Sequence, residues 1–270
     1  MDINNLIFLH IPKAGGTTLN SILGNQYGRR NRIFINGIQD GIDKVQNIKV
    51  NEFKRTTVFT GHMAFGLHEY LPGRSKYITY IRSPVDRVIS IYKYIHRNPE
   101  HPLHNKFIDE NISLQTFVTS EFDRDTENGQ TKLIAGIKAN GHEKGLLEIA
   151  LDNINKYFVY VGIMEMFDES LLLMARYLHW SNYVYFKQNV SNSKYGTFQV
   201  DNSVIQLIKE KNLLDLELYS IFKKKLMNDC KTEGKTFYKD LTHFQKCNTL
   251  FQILMYCPYK IFQKIRVIKK

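Results

Sequence analysis

The sequence predicts an α/β domain of three layers, a central, mainly parallel sheet flanked by helices on both faces. Three observations carry that expectation. Short apolar runs at 6–9, 77–81 and 157–161 each lead through a turn into a segment whose apolar residues recur at helical spacing, the pattern of strands buried on both faces and covered by crossover helices. Gly15, Gly16, Pro84 and Gly162 stand where the period changes, as chain-turning residues should. No Pro/Gly/Ser-rich linker, repeat or low-complexity run divides the 270 residues, so one folded unit is expected where length alone would allow two.

The first strand and helix lie in LIFLHIPKAGGTTLNSIL, residues 6–23. Leu6, Ile7, Phe8 and Leu9 suit a central strand, and Leu19, Ile22 and Leu23 recur as on a helix. Between them, Gly15 and Gly16 permit positive φ and turn backbone N–H groups inward, while Thr17 and Thr18 are expected to cap the helix and bond an oxyanion. A phosphate or sulfate there would meet unpaired N–H groups and the positive end of the helix dipole. A Walker A loop is excluded, because the lysine, Lys13, precedes the glycines and no Gly-Lys-Ser/Thr follows. A strand–glycine–helix turn without a ligand is the alternative.

Residues 29–54 are polar and basic with weak structural signals, and 58–60 read as a short strand ending at Gly61-His62. An irregular loop over 63–73 leads to the strand at 77–81. In RSPVDRVISIYKYI, residues 82–95, Ser83 is expected as N-cap, Pro84 as the first helical residue and Asp86 as the return partner of a capping box. Val85, Val88, Ile89, Tyr92 and Ile95 then share one face. That places Arg82 at the carboxyl end of a strand and Ser90 two turns into the helix, where both could hold an anion. Alternatively Arg82 caps a neighbouring helix or pairs with Asp86.

Polar loops are expected over 97–113 and 121–129, and helices over 114–120, 131–139 and 143–155. The strand at 157–161 leads into a helix bearing Phe167, Leu171, Met174 and Leu178. Residues 187–197 form a long polar loop, and helices return over 201–229. The tail, 248–270, alternates apolar clusters with Lys260, Lys264, Arg266, Lys269 and Lys270. A helix capping the domain is the preferred reading, ahead of one lying on an acidic membrane surface.

The net charge of +11 and pI near 9.4 point to anionic partners: a nucleotide, an acidic polysaccharide, a nucleic acid or an acidic surface. Cys230, Cys247 and Cys257 form no metal-spaced set and read as reduced thiols. No signal segment precedes the first strand and no apolar run approaches a bilayer span, so a cytoplasmic protein is expected.

Taken together, HIPKAGGTT and RSPVDRVIS resemble the 5′-phosphosulfate and 3′-phosphate motifs of sulfotransferases that use 3′-phosphoadenosine 5′-phosphosulfate (PAPS), in the carbohydrate branch that includes heparan sulfate 2-O-sulfotransferase and bacterial relatives. VGIMEMFDESLLLMARYLHW and KQNVSNS resemble two later stretches of that family in the same order. The resemblance implies a fold like that of P-loop nucleoside triphosphatases and a bacterial enzyme that sulfates a hydroxyl. Its domain would span 1–228, with 229–270 a basic helical extension packed on it. Lys13 would contact the bridging oxygen of the phosphosulfate, and the N–H groups of Ala14, Gly15, Gly16, Thr17 and Thr18 would hold the 5′-phosphate. Arg82 and Ser90 would bind the 3′-phosphate, and Asn189 and Ser191 would lie in the nucleotide-contacting loop. His62 sits where the 2-O-sulfotransferases carry a His-Gly-His segment with their base, although Thr60 replaces its first histidine; His68 is the second choice. Ser83 also departs from the family, where Asp often follows the arginine. The implied donor is PAPS without a metal. The acceptor is a hydroxyl compound, foremost a glycan, with neither nucleic acid nor membrane as the expected partner. Two rivals stand beside this reading: a nucleotide-dependent kinase, for which Lys13 is misplaced and no metal acid is evident, and a non-catalytic binder of acidic polymer.

Overall fold

A computed structural model describes residues 4–47, 57–120, 122, 126–136, 145–181, 183–186 and 200–268, the last fourteen of these by backbone alone. The chain runs β1 (Asn5–Leu9), α1 (Gly16–Tyr27), β2 (Arg32–Asn36), α2 (Ile38–Asn47), β3 (Thr57–His62), β4 (Ser75–Ile81), α3 (Pro84–Arg97), α4 (His104–Asp109) and α5 (Leu114–Thr119). It continues through α6 (Gly129–Ala135), α7 (Leu146–Tyr157), β5 (Phe158–Ile163), α8 (Phe167–Tyr177), α9 (Asn202–Lys211) and α10 (Leu213–Ile268). The fold is α/β, as the sequence predicts.

The five strands form one sheet in the order β2-β3-β1-β4-β5, and every pairing is parallel. β1 lies at its centre, with Asn5 opposite Thr57 on one side and Ser75 on the other, and all five of its residues are buried. That is why the run Leu6–Leu9 has no polar alternation: both faces of a central parallel strand meet helices. From β1 the chain goes to the β2 edge, returns through β3, then crosses β1 to add β4 and β5. The connections leaving β1 and β4 therefore diverge, and open a crevice at the carboxyl ends of those strands.

Two stretches differ from the sequence reading. Residues 29–54, which give only weak structural signals in the sequence, contain β2 and α2. β2 is an edge strand in which only Ile35 is buried and Phe34 is 55% exposed, so burial leaves no alternating pattern to read. The expected loop over 97–113 contains α4, a helix of six residues, too short to establish a period. Its Phe107 joins Val88, Ile95, Phe117 and Ile208 in a second apolar cluster that packs α3, α4, α5 and α9 together. α10 runs across residue 228 and breaks its helical geometry only at Gly234, where φ is 70°. Phe222, Leu226, Cys230, Phe237, Leu241 and Phe244 of α10 all belong to the main core around the sheet.

Candidate active site

The loop after β1 is shaped by two left-handed residues, Lys13 (φ 66°) and Gly15 (φ 83°). Gly15 is the N-cap of α1, and its carbonyl accepts from the N–H groups of Thr18 and Leu19 at 3.1 and 3.3 Å. Ala14 N–H donates to the Ile11 carbonyl at 3.3 Å. Two of the five N–H groups expected to hold an anion, those of Ala14 and Thr18, are thus used within the loop. Gly15 and Gly16 stand at the mouth of α1, ahead of its hydrogen-bond ladder. Thr17 and Thr18 lie inside the helix and do not cap it, which corrects the sequence reading. The first turn of α1 carries no acidic residue, so the helix itself sets no carboxylate against an anion at its positive end.

Two arginines hold the loop from the side of α3. Arg82, the residue after β4, donates from Nη1 to the Lys13 carbonyl at 3.0 Å, and the fully buried Arg87 donates from Nε to the Pro12 carbonyl at 3.1 Å. These two bonds fix the peptides on either side of Lys13, and with them the course of the loop into the α1 mouth. The backbone of Arg82 is itself fixed by Gln130, whose side chain accepts from its N–H and donates to its carbonyl, both at 2.8 Å. Gln130 is placed in turn by Asp215, whose carboxylate accepts from the N–H groups of Gln130 and Thr131 at the start of α6 at 3.1 and 2.7 Å.

Ser83 precedes α3 as expected, but no capping box forms. Its side chain makes no cap bond, and its N–H donates to Glu165 Oε1 at 3.0 Å instead of reaching Asp86. Pro84 starts a helix whose N-terminus is served by this carboxylate from the end of β5, so Asp86 is not needed. Glu165 also lies 4.0 Å from Arg82 Nε and accepts from the Tyr219 hydroxyl at 3.1 Å. Arg82 therefore pairs with Glu165 and not with Asp86. At that distance, with both side chains about a quarter exposed, the pair orients the guanidinium more than it stabilises the fold.

Lys13 Nζ sits over the Tyr94 ring, 4.3 Å from its centre. Burial, with Arg97 and Arg82 nearby, lowers its pKa to about 8. Ser90 and Tyr94 are one turn apart on α3, so the helix brings Ser90 to the same side as the lysine.

A pair of histidines closes the other side. His62 ends β3, and its Nδ1 lies 3.1 Å from the His10 carbonyl oxygen. A carbonyl can only accept, so Nδ1 carries the proton and the lone pair of neutral His62 is on Nε2. The His10 and His62 rings are 4.3 Å apart. His10 is kept neutral, its pKa lowered to about 3 by burial and then by His62 and Lys13. Thr60 donates to Asn20 Oδ1, and the amide nitrogen of Asn20 lies 3.5 Å from His10 Nδ1, which assigns the His10 proton to Nε2. The ring edge that includes Nε2 packs against Gly16, where an added Cβ would overlap it. This contact, and not loop flexibility alone, is why the second glycine is a glycine.

Of the predicted site residues, Lys13, Gly15, Gly16, Arg82 and His62 converge at the carboxyl ends of β3, β1 and β4, while Ser90 lies on α3 one turn before Tyr94. His68 does not. It packs among Phe65, Tyr77 and Tyr157, with Nδ1 3.1 Å from the Tyr77 hydroxyl, toward the amino ends of β4 and β5. Asn189 and Ser191 lie outside the described residues. Sequence reasoning missed His10, Asn20, Arg87, Gln130 and Glu165. His10, Arg87 and Glu165 carried a signal, their places inside three of the motif stretches; Asn20 and Gln130 reach the site through tertiary contacts.

Among the described residues, the α1 mouth with Lys13 and Arg82 beside it offers backbone N–H groups and cations that fit phosphate or sulfate, and the carboxylate beside Arg82, Glu165, is engaged by Arg82, Ser83 and Tyr219. A search of curated proteins finds no match. Among solved structures the chain is similar to mouse sulfotransferase SULT7A1 complexed with PAP, at 14% identity and a TM-score of 0.40, over 77% of this chain and 64% of that one; the chain thus spans less than two thirds of that protein's length. The galactose-3-O-sulfotransferase family model matches residues 2–248, which takes in every strand of the sheet and every residue of the crevice, and the chain belongs to that family.

Proposed function

We propose that this protein transfers a sulfuryl group from PAPS to a hydroxyl of a glycan acceptor. The observation that carries the reading is the convergence, on three adjacent strands, of a histidine with a defined basic nitrogen, an N–H-lined helix mouth and an arginine-clamped loop. When bound, PAPS supplies an activated sulfuryl group whose departure leaves negative charge on the nucleotide phosphate.

The residues of the chain divide the remaining work. Gly15 and Gly16 N–H groups and the α1 dipole hold the 5′-phosphate, with Thr17 beside them. Lys13, its pKa lowered to about 8 but its ammonium still mostly charged at pH 7, neutralises charge at the bridging oxygen. Arg82 and Ser90 take the 3′-phosphate, the guanidinium through the donors left after its bonds to Lys13 and Glu165; Asn189 and Ser191 are assigned to the same nucleotide by motif likeness alone. His62 Nε2 accepts the acceptor hydroxyl proton, help typically worth about 10²- to 10⁴-fold. The His10 carbonyl fixes the tautomer that leaves Nε2 available, and the neutral His10 ring backs the imidazolium that forms. No metal is assigned a role.

The family match supports a galactose hydroxyl as the first acceptor to try, whereas the motif likeness to heparan sulfate 2-O-sulfotransferases supports only the position of His62. A bacterial, cytoplasmic enzyme is the source and setting we favour, on the sequence alone. The test is incubation with radiolabelled PAPS and a panel of galactosides, uronic-acid-containing oligosaccharides and simple phenols. Label entering a galactoside is expected; transfer to the phenols alone would reject a glycan acceptor.

A further inference from the structure

The end of α10 has no task in the catalytic reading, and the chain changes character there. Asn248 is 3% exposed, and its side-chain oxygen accepts from Tyr185 N–H at 2.8 Å; the family match also stops at this residue. Beyond it the helix leaves the core. Leu250, Ile253 and Leu254, which share one face, are 60%, 66% and 74% exposed. The sequence continues the three- and four-residue steps with Cys257, Ile261, Ile265 and Ile268. The backbone stays helical to Ile268, and twenty residues of helix span about 30 Å.

Charge narrows what can cover this stripe. The last acidic residue of the chain is Asp240, and Lys246, Lys260, Lys264, Arg266, Lys269 and Lys270 follow with no Asp or Glu among them. A second copy laid alongside would bring two sets of six cations together with nothing to offset them. A capping role against this domain would leave Leu250, Ile253 and Leu254 covered, which they are not. Among the described residues no helix is long and apolar enough to cross a membrane. Exposed apolar residues, aromatic side chains at Phe251, Tyr256, Tyr259 and Phe262, and unopposed cations are the composition of a helix that lies in the plane of an anionic lipid surface.

We infer that residues 249–268 form an interfacial helix that seats the enzyme on an anionic membrane. Among the described residues no strand of the sheet and no member of the crevice comes from it, so the segment is assigned the role of an anchor and not a part in the site. This inference is independent of the sulfuryl-transfer reading.

The full chain should co-sediment with vesicles of phosphatidylcholine containing one third phosphatidylglycerol, and not with vesicles of phosphatidylcholine alone. Rising salt should release it. A chain ending at Asn248 should lose binding, and so should the full-length triple variant Lys260→Glu, Lys264→Glu, Arg266→Glu, by at least about tenfold. Leu250→Ser with Leu254→Ser, both at exposed positions, should weaken it without altering nucleotide binding. Equal binding to neutral vesicles, or anionic binding untouched by these changes, would overturn the inference. So would a concentration-dependent dimer that Leu254→Lys dissolves in the absence of vesicle binding, since that would assign the stripe to a second copy.

Discussion

The lowered pKa of Lys13 makes a quantitative prediction about donor binding. A lysine at its ordinary value of 10.5 would stay charged throughout the neutral and mildly alkaline range, but burial beside Arg97 and Arg82 brings Lys13 to about 8. Its charge is therefore about nine-tenths present at pH 7, about half at pH 8 and about one-tenth at pH 9. If only the ammonium holds the bridging region, affinity for 3′-phosphoadenosine 5′-phosphate should fall about fivefold to tenfold between pH 7 and pH 9. Above pH 8, binding should take up a proton, because the anion favours the charged lysine. Titration calorimetry in buffers of different ionisation enthalpy reads both quantities. The sign for folding is opposite: the unfolded chain binds the lysine proton more tightly between pH 8 and 10.5, so this group adds stability as pH rises through that window. Arg97→Gln removes one of the charges that lower the pKa and should move the affinity loss to higher pH, while Lys13→Arg should abolish it. Affinity that stays flat to pH 10, with no proton uptake, would refute the placement of Lys13 against the anion.

Four further predictions rest on the same geometry. His62→Ala should leave nucleotide affinity within about twofold and lower kcat by about 10²- to 10⁴-fold; full turnover would move the base elsewhere. Arg82→Ala should lose nucleotide binding by well over tenfold, because it removes both the proposed anion contact and the bond to the Lys13 carbonyl; unchanged affinity in titration would sink its assignment to the 3′-phosphate. Gly16→Ala should displace the His10 ring and with it the partner of His62, lowering kcat and nucleotide affinity together, and wild-type kinetics would contradict that packing. Gln130→Ala should cost about 1–3 kcal/mol of stability by leaving the Arg82 backbone groups unpaired, measured as a lower midpoint in urea; an unchanged midpoint would show that water replaces the amide.

What was legible in the sequence follows from how each part is held. β1 and β4 announce themselves because both faces of each are buried, so their apolar runs are continuous. β2 is hidden because its outer residues face solvent. The glycine loop, Lys13, Arg82 and His62 could be read because they lie where a strand ends, and a strand end is a change of period. The loop's supports could not be read. Gln130 meets Arg82 across 48 residues and Glu165 meets Ser83 across 82, and nothing local to either side chain marks its partner. The capping box failed for a related reason: Ser83 and Asp86 have the right spacing, but a distant carboxylate reaches the Ser83 N–H first.

Donor recognition is tested most directly by calorimetric titration of the full chain with 3′-phosphoadenosine 5′-phosphate, with ATP and adenosine 5′-phosphosulfate as controls. Tight binding that requires the 3′-phosphate and disappears in Arg82→Ala is the predicted result. Binding with no preference over ATP would contradict the PAPS-dependent mechanism and favour a nucleotide-dependent kinase.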